Sequence, residues 1–165
     1  MKELILGMGI PGAGKSTYLE KYVPFEGVIV SRDAIRFSMV KPDEEYFSKE
    51  TEVFNEFIAQ IVDALEKGYD VYADATHLNA KSRAKVINAV MQRTVPSKIS
   101  VLWVQVELEV ALAQNELRQG TRAYVPRGII RRMNEQIRAV DLENENYIDE
   151  VIVVKRITRT EGENE

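Results

Sequence analysis

The sequence lacks cysteine and contains a single histidine, His77. Without cysteine the chain forms neither disulfide bonds nor thiolate metal sites. A lone histidine is more often structural than a ligand, so we assign His77 no catalytic role. The apolar run at residues 4–6 is broken by Gly7 and is too short for a signal peptide. No run approaches membrane-spanning length, and we therefore expect a cytoplasmic protein with no membrane partner.

The net charge of −4 argues against a large, non-specific nucleic-acid surface. The arginines are nevertheless concentrated, because residues 117–140 contain six of them and one acid, Glu135. This segment indicates either a local site for phosphate groups or a solvated helix face. A chain of 165 residues is long enough for one domain with a substantial core. We predict that domain at residues 1–157 and a disordered tail at residues 158–165.

Short apolar runs alternate with segments of helical periodicity along the chain. The apolar runs predict five strands, at residues 2–8, 27–31, 69–74, 99–107 and 150–155. The periodic segments predict helices at residues 15–22, 33–39, 43–67, 79–93, 108–119 and 127–141. This alternation predicts an α/β fold, a three-layer α/β/α sandwich around a five-stranded, mostly parallel sheet. Ligands of such sheets bind at the carboxyl ends of the strands.

One segment, Gly9-Ile10-Pro11-Gly12-Ala13-Gly14-Lys15-Ser16-Thr17, fits the pattern G-x-x-x-x-G-K-[ST] without a mismatch. It follows a predicted strand and precedes a predicted helix, as a phosphate-binding loop requires. The glycines allow backbone N–H groups to converge on an anion. Lys15 reaches the outer phosphates and the Ser16 hydroxyl binds Mg²⁺. We therefore predict that ATP is bound by Gly12, Ala13, Gly14, Lys15, Ser16 and Thr17.

The same residues allow two other interpretations. Gly7-x-Gly9-x-x-Gly12, with Asp33 about twenty residues later, matches the fingerprint of a dinucleotide-binding fold. A glycine-rich turn that only links a strand to a helix is the other interpretation. Both leave Lys15 and Ser16 unexplained, so the phosphate-binding loop is favoured.

The end of the second predicted strand runs into Ser31-Arg32-Asp33-Ala34-Ile35-Arg36. Ser31 is predicted to cap a helix whose first turn contains Asp33. At the mouth of a phosphate-binding cleft, Asp33 can accept a proton from an attacking hydroxyl, and Arg36 can hold a phosphate of the acceptor. The alternative is structural, because Asp–Arg pairs three residues apart are common on helix surfaces.

The end of the third predicted strand reads Asp74-Ala75-Thr76-His77-Leu78-Asn79. An acid after a hydrophobic strand assists Mg²⁺ in many nucleotide-binding proteins, so Asp74 is a candidate metal residue together with Ser16. A turn-forming role for Asp74 is the alternative. Thr76 is predicted either to bind substrate or to cap a turn, and Asn79 to cap the next helix.

A break between two helices carries further arginines. Gly120 is predicted to end one helix and Pro126 to begin the next. A mobile segment with Arg118 and Arg122 is typical of a lid that excludes water and stabilises charge on a transferred phosphoryl group. A plain helix–helix connection is the alternative.

Together these motifs resemble the kinase domain of the 5′-polynucleotide kinases, within the adenylate-kinase-like P-loop phosphotransferases. The resemblance covers residues 1–140 and includes Asn115-x-x-Arg118 followed by Val125-Pro126. It implies that an NTP, usually ATP, phosphorylates the 5′-hydroxyl end of DNA or RNA with Mg²⁺.

The resemblance also implies a role for each matching residue. Lys15 and Ser16 bind the triphosphate and the metal. Asp33 is the general base on the 5′-hydroxyl, Arg36 holds the 3′-side phosphate of the acceptor nucleotide, and Thr76 lines that pocket.

The helical lid of the family carries arginines on the donor phosphates, a role that falls to Arg118. Where the family often has another arginine one turn earlier, this chain has Gln114, and Arg122 is a candidate to compensate. His77 also departs, because asparagine is common there. Some relatives with similar motifs phosphorylate small molecules such as nucleosides, sugars or antibiotics. A nucleotide-gated binding module that phosphorylates nothing is a further alternative.

Overall fold

The computed structural model describes residues 2–15, 18–19, 25–121 and 124–156. Outside these ranges lie the predictions for Ser16, Thr17, Arg122 and the tail at residues 158–165. Most of the helix predicted at residues 15–22 also lies outside them. The described part of that helix is consistent with it, because the Tyr18 N–H donates to the Gly14 carbonyl oxygen at 2.9 Å.

Five parallel strands form the centre of the fold. They are β1 (Glu3–Met8), β2 (Val28–Ser31), β3 (Val71–Asp74), β4 (Lys98–Gln105) and β5 (Glu150–Lys155). Their order in the sheet is β2-β3-β1-β4-β5, and every neighbouring pair is parallel. This topology confirms the parallel α/β architecture that the sequence predicts.

Five helices are assigned within the described residues, namely α1 (Arg32–Met39), α2 (Glu50–Glu66), α3 (Ala80–Met91), α4 (Leu108–Glu116) and α5 (Arg127–Gln136). Successive side chains of a strand point to opposite faces of the sheet. In β3 the consecutive residues Val71, Tyr72 and Ala73 are all fully buried, so the sheet is covered on both faces at this strand. Among the described helices none is long and apolar enough to cross a membrane.

The loop after β1 is part of an apolar core. Ile10 and Ala13 belong to a buried cluster that also contains Ala111 of α4 and Ile130 of α5. Close packing of this kind leaves little freedom for the backbone. The segment that carries the phosphate-binding motif is therefore held by two helices as well as by its strand.

The register of the sheet brings three strand ends to the same level. Gly7 of β1 pairs with Asp74 of β3, and Ser31 of β2 pairs with the same Asp74. The loops that follow these strands carry the predicted nucleotide-binding and acceptor-binding residues. Parallel pairing therefore places all three loops at one edge of the sheet, as predicted.

The helix predicted at residues 43–67 begins seven residues late, at Glu50. Residues 42–49 form turns, in which the Ser48 N–H donates to the Glu45 carbonyl oxygen at 3.0 Å. The aromatic residues Tyr46 and Phe47 pack edge-to-face here, with ring centres 4.7 Å apart. Both also lie against Arg36 of α1. These tertiary contacts override the helical periodicity of the sequence.

The helix predicted at residues 127–141 ends early, at Gln136. The next residues bind tertiary partners instead of continuing the helix. The Arg138 N–H donates to the Leu78 carbonyl oxygen at 2.8 Å, and the Arg83 guanidinium donates to the carbonyl oxygens of Arg138 and Ala139. The helices predicted at 79–93 and 108–119 also end early, at Met91 and Glu116.

Arg83 is the largest fully buried side chain of the described residues. It donates from Nε and Nη2 to the Glu145 carboxylate at 2.7 and 3.0 Å, and from Nη1 to the His77 carbonyl oxygen at 3.1 Å. Only 1% of its side chain is exposed, against 11% for Glu145. Arg83 therefore ties α3 to the loop after β3 and to the segment between α5 and β5.

We expect the variant Arg83→Met to lower the free energy of unfolding by about 3–5 kcal/mol, because the Glu145 carboxylate loses its ion partner and the carbonyl oxygens that Arg83 binds lose a donor. Urea unfolding monitored by circular dichroism measures this. The matched control is Lys81→Met, at an exposed position of the same helix, where a change within about 0.5 kcal/mol is expected. Equal losses in both variants would contradict the anchoring role.

Candidate functional site

A cleft of about 300 Å³ opens at the edge where β1, β2 and β3 end. Every predicted site residue that lies within the described ranges lines this cleft. These residues are Gly12, Ala13, Gly14, Lys15, Asp33, Arg36, Asp74, Thr76 and Arg118. The structure therefore brings together side chains that lie more than a hundred positions apart in the sequence.

The phosphate-binding loop requires glycine for two reasons. Gly12 and Gly14 have φ angles of +85° and +89°, in the left-handed region that disfavours other residues. A Cβ atom on Gly12 would also lie 2.4 Å from the Ala111 carbonyl oxygen, and one on Gly14 would lie 2.6 Å from Nη1 of Arg156. The loop thus has the tight glycine-dependent backbone that a polyphosphate cradle requires.

Lys15 is the cation at the base of the cleft. Its Nζ donates to the Gly9 carbonyl oxygen at 2.6 Å, within its own loop. Burial lowers the pKa of the Lys15 ammonium, whereas the nearby carboxylates of Asp74 and Asp33 oppose that shift and Arg118 adds to it. Charged side chains from β3, from α1 and from the turn after α4 therefore act on Lys15. A phosphate oxygen can replace the Gly9 carbonyl as the acceptor of its proton.

Asp33 lies in the first turn of α1, which begins as predicted. The Ser31 side chain caps the helix by accepting a hydrogen bond from the Ala34 N–H at 3.1 Å. Arg36 donates from Nη1 to Oδ1 of Asp33 at 2.6 Å, as the spacing of three residues suggests. The Asp33 side chain remains 66% exposed, so its carboxylate is accessible to an acceptor in the cleft.

The loop after β3 is fastened to the phosphate-binding loop. The Gly9 N–H donates to the Thr76 carbonyl oxygen at 3.1 Å, and Nδ1 of His77 donates to the Gly7 carbonyl oxygen at 2.7 Å. Burial lowers the pKa of His77 to about 4, so the ring is neutral near pH 7. His77 is thus structural, as expected. The predicted Asn79 cap is confirmed by a reciprocal pair of hydrogen bonds with Ser82.

The segment predicted as a lid contributes one arginine to the cleft. Arg118 lies in the turn after α4 and lines the cleft from an exposed position. The buried amide of Asn115 donates to the Val125 carbonyl oxygen at 2.6 Å and accepts from the Val125 N–H at 3.0 Å. This pair of hydrogen bonds clamps the two ends of the segment that carries Arg118.

The other described arginines of the arginine-rich segment do not line the cleft. Arg127 pairs with Glu116 at 2.6 Å, and Arg138 donates to the carbonyl oxygens of Glu135 and Ile137. From α5 only Met133 lines the cleft. A solvated face therefore describes Arg127, Arg131, Arg132 and Arg138, which are exposed. A phosphate site at Arg118 stays a prediction.

Three further residues of the cleft were not singled out from the sequence. They are Tyr46, Phe47 and Glu50, at the N-terminal end of α2. The sequence gives no signal for them, because its helical periodicity predicts one helix over residues 43–67. In the structure the residues before Glu50 form turns instead. Arg156, after β5, was also missed. Its Nη1 lies 3.5 Å from the Gly12 carbonyl oxygen.

The residues present fit a metal ion that is held mainly by phosphate and water. Within the described ranges no group of three or more histidine or acidic side chains is positioned to bind a metal. Asp74, at the end of β3, lines the cleft, and its negative charge acts on Lys15. The predicted Mg²⁺ site would use Asp74 together with Ser16, and Ser16 lies outside the described residues.

We expect the variant Gly12→Ala to weaken nucleotide binding by about tenfold or more, because the added Cβ meets a backbone carbonyl that cannot move freely. Titration calorimetry with ADP and Mg²⁺ measures this. The control is Gly68→Ala, which shares a positive φ but has no atom within 4 Å of the added Cβ. That variant should lose about 1–2 kcal/mol of stability and bind ADP normally. Normal binding by Gly12→Ala would contradict the cradle.

Comparisons with known proteins agree with this geometry. No curated protein matches the chain significantly. Among solved structures it is similar to a chain of the Pnkp1/Rnl/Hen1 RNA repair complex, with a TM-score of 0.66 and 21% identity over 82% of this chain and 43% of that chain. This protein thus spans less than half the length of that relative.

Two further structures are similar along nearly the whole chain. A fungal RNA kinase has a TM-score of 0.69 and 12% identity, covering 99% of this chain and 78% of that chain. A gluconokinase from Sinorhizobium meliloti 1021 has a TM-score of 0.57 and 17% identity, covering 93% and 82%. Residues 4–140 match the family model AAA_33, described as an AAA domain. The chain belongs to this family and has a P-loop kinase-like fold.

Proposed function

We propose that the protein is an ATP-dependent kinase that transfers the γ-phosphate to the 5′-hydroxyl end of DNA or RNA. The observation that carries this proposal is the convergence of Lys15, Asp33, Asp74 and Arg118 on one cleft of about 300 Å³. A cation beneath a glycine cradle binds a polyphosphate, and an accessible carboxylate beside it activates an alcohol. Two similar structures support the choice of acceptor, because one belongs to an RNA repair complex and the other is a fungal RNA kinase.

In the proposed reaction each residue acts on one part of the transfer. When bound, ATP supplies the γ-phosphoryl group and Mg²⁺ neutralises part of its charge. Lys15 moves its Nζ from the Gly9 carbonyl to a phosphate oxygen, while Arg118 closes over the donor from the lid. Asp33 orients the acceptor hydroxyl and takes its proton. Thr76 lines the cleft, and in the proposed reaction it contacts the acceptor.

A second candidate function is phosphorylation of a small molecule, such as a nucleoside, a sugar or an antibiotic. Three findings favour it. Arg127, Arg131, Arg132 and Arg138 do not line the cleft, so the arginine-rich helix α5 supplies no cation to its wall. Arg36 is engaged by the chain's own carboxylates, and one similar structure is a gluconokinase.

One experiment separates the candidates. The protein is incubated with γ-labelled ATP, Mg²⁺ and a panel of 5′-hydroxyl oligonucleotides, nucleosides, sugars and aminoglycosides. The proposal predicts that label passes to the oligonucleotides, with a shallow salt dependence because few phosphates are bound. Label on a sugar or aminoglycoside alone would favour the second candidate. Label on none of them would contradict kinase activity on these acceptors.

We expect the variant Asp33→Asn to lower the turnover number by about 10²- to 10⁴-fold, because the acceptor loses its proton acceptor. ATP affinity should change by less than about threefold, since Asp33 does not contact the donor phosphates in the proposed reaction. Radiometric transfer and ATP titration measure the two effects. The matched control is Asp43→Asn, at an exposed site outside the cleft, which should leave turnover unchanged. Unchanged turnover in Asp33→Asn would contradict its role as base.

A further inference from the structure

Arg36 lies at the centre of a closed hydrogen-bond network on the acceptor side of the cleft. It is only 6% exposed. Its Nε donates to Oε1 of Glu50 at 2.6 Å, and its Nη2 donates to Oε2 of the same carboxylate at 3.0 Å. Paired bonds of this kind fix the plane of the guanidinium group. Burial opposes ionisation, but the hydrogen bonds from Arg36 and Arg32 hold the pKa of Glu50 below its usual value.

The network extends to Asp33, one oxygen of which accepts hydrogen bonds from two donors. Nη1 of Arg36 donates to Oδ1 of Asp33 at 2.6 Å, and the Tyr46 hydroxyl donates to the same Oδ1 at 3.1 Å. Burial and the Asp33 charge raise the pKa of Tyr46, so its hydroxyl keeps this proton near pH 7. No described residue donates a hydrogen bond to Oδ2. The network therefore holds Asp33 by one oxygen and leaves the other for a ligand.

The faces of the Arg36 guanidinium are covered as well as its edges. Its central carbon lies 4.9 Å from the ring centre of Tyr46 and 5.3 Å from that of Phe47, within the range of cation–π attraction. Glu50 also accepts from Nη2 of Arg32 at 3.2 Å. A phosphate that binds Arg36 through two donors must displace Glu50 from Nε and Nη2, or displace Asp33 or the Tyr46 hydroxyl from Nη1. Either exchange breaks an existing partnership of Arg36 and leaves a polar group without it.

The charges of this wall are balanced. Arg32 and Arg36 supply two positive charges, and Asp33 and Glu50 supply two negative ones. A wall without excess positive charge has little electrostatic preference for a phosphorylated acceptor. This contrasts with the role that the family resemblance implies for Arg36, in which it holds the 3′-side phosphate.

We propose that Glu50 and Tyr46 are positioning residues for the proposed kinase reaction, and that Arg36 serves Asp33 and not the acceptor's phosphate. Glu50 fixes Arg36, and Arg36 and Tyr46 together hold Oδ1 of Asp33. Oδ2 then takes the proton of the acceptor hydroxyl as the hydroxyl oxygen bonds to the γ-phosphorus and the bond from that phosphorus to the ADP oxygen breaks. The acceptor subsite consequently recognises a hydroxyl-bearing end without requiring a charged group beside it.

This inference rests on the proposed function, and steady-state kinetics test it with two matched acceptors. Both are 5′-hydroxyl oligonucleotides, and they differ only in the first internucleotide linkage, which is a phosphodiester in one and a neutral methylphosphonate in the other. The wild-type protein should have KM values for the two that agree within about threefold. A KM at least about tenfold higher for the methylphosphonate acceptor would show that a cation reads that phosphate, and would overturn the proposal.

The variants Glu50→Gln and Tyr46→Phe should each lower kcat by about 10- to 100-fold for both acceptors while KM changes little, as expected when the support of a reacting group is removed. The control Glu52→Gln, an exposed acid on the same helix that does not line the cleft, should behave as wild type. Unchanged kcat in both variants, or a selective change in KM for the phosphodiester acceptor, would overturn the positioning role.

A second measurement needs no acceptor and so separates this inference from the proposed function. The Nε–H proton of Arg36 should exchange slowly with water in NMR spectra of the wild type and of Glu52→Gln, because Glu50 holds it. It should exchange rapidly in Glu50→Gln. Rapid exchange in the wild type would overturn the network even if transfer to an oligonucleotide is observed. Slow exchange with no labelled acceptor would contradict only the proposed function.

Discussion

The parallel pairing of β1, β2 and β3 is the constraint on which the rest of the structure depends. Because Gly7 and Ser31 both pair with Asp74, three loops leave the sheet at one level. One loop carries the glycine cradle, one begins the helix with Asp33, and one carries Asp74 and Thr76. A shift of any strand by one residue would turn its side chains to the other face of the sheet and separate these loops.

The cleft assembled in this way concentrates opposite charges at short range. Lys15 is half-buried near the carboxylates of Asp33 and Asp74, and Arg118 lines the same cleft. Burial disfavours the charged ammonium, and the carboxylates restore part of its stability. Among the described residues, the hydrogen-bond partner of the Lys15 ammonium is a carbonyl oxygen of its own loop. In the proposed function a phosphate oxygen takes the place of that carbonyl.

The sequence was sufficient for the architecture and for most of the cleft, because motif residues and strand ends are local features. The caps by Ser31 and Asn79 and the turn at Gly12 follow from residue chemistry within a few positions. The helix start at Glu50, the burial of Arg83 and the network around Arg36 do not. Each depends on a partner distant in sequence, such as Glu145 for Arg83, and no periodicity encodes such a pairing. His77 has a φ of +43°. This is the left-handed region, in which asparagine, aspartate and histidine are enriched among residues other than glycine.

The proposed function requires the loop from Gly12 to Lys15 to bind a polyphosphate next to the Asp33 carboxylate. A crystal structure with ADP, Mg²⁺ and a 5′-hydroxyl oligonucleotide tests it most directly. We expect the β-phosphate in the loop, Nζ of Lys15 moved from the Gly9 carbonyl to a phosphate oxygen, and Asp33 within hydrogen-bond distance of the 5′-hydroxyl. A nucleotide bound elsewhere, with Lys15 still on Gly9, would contradict it.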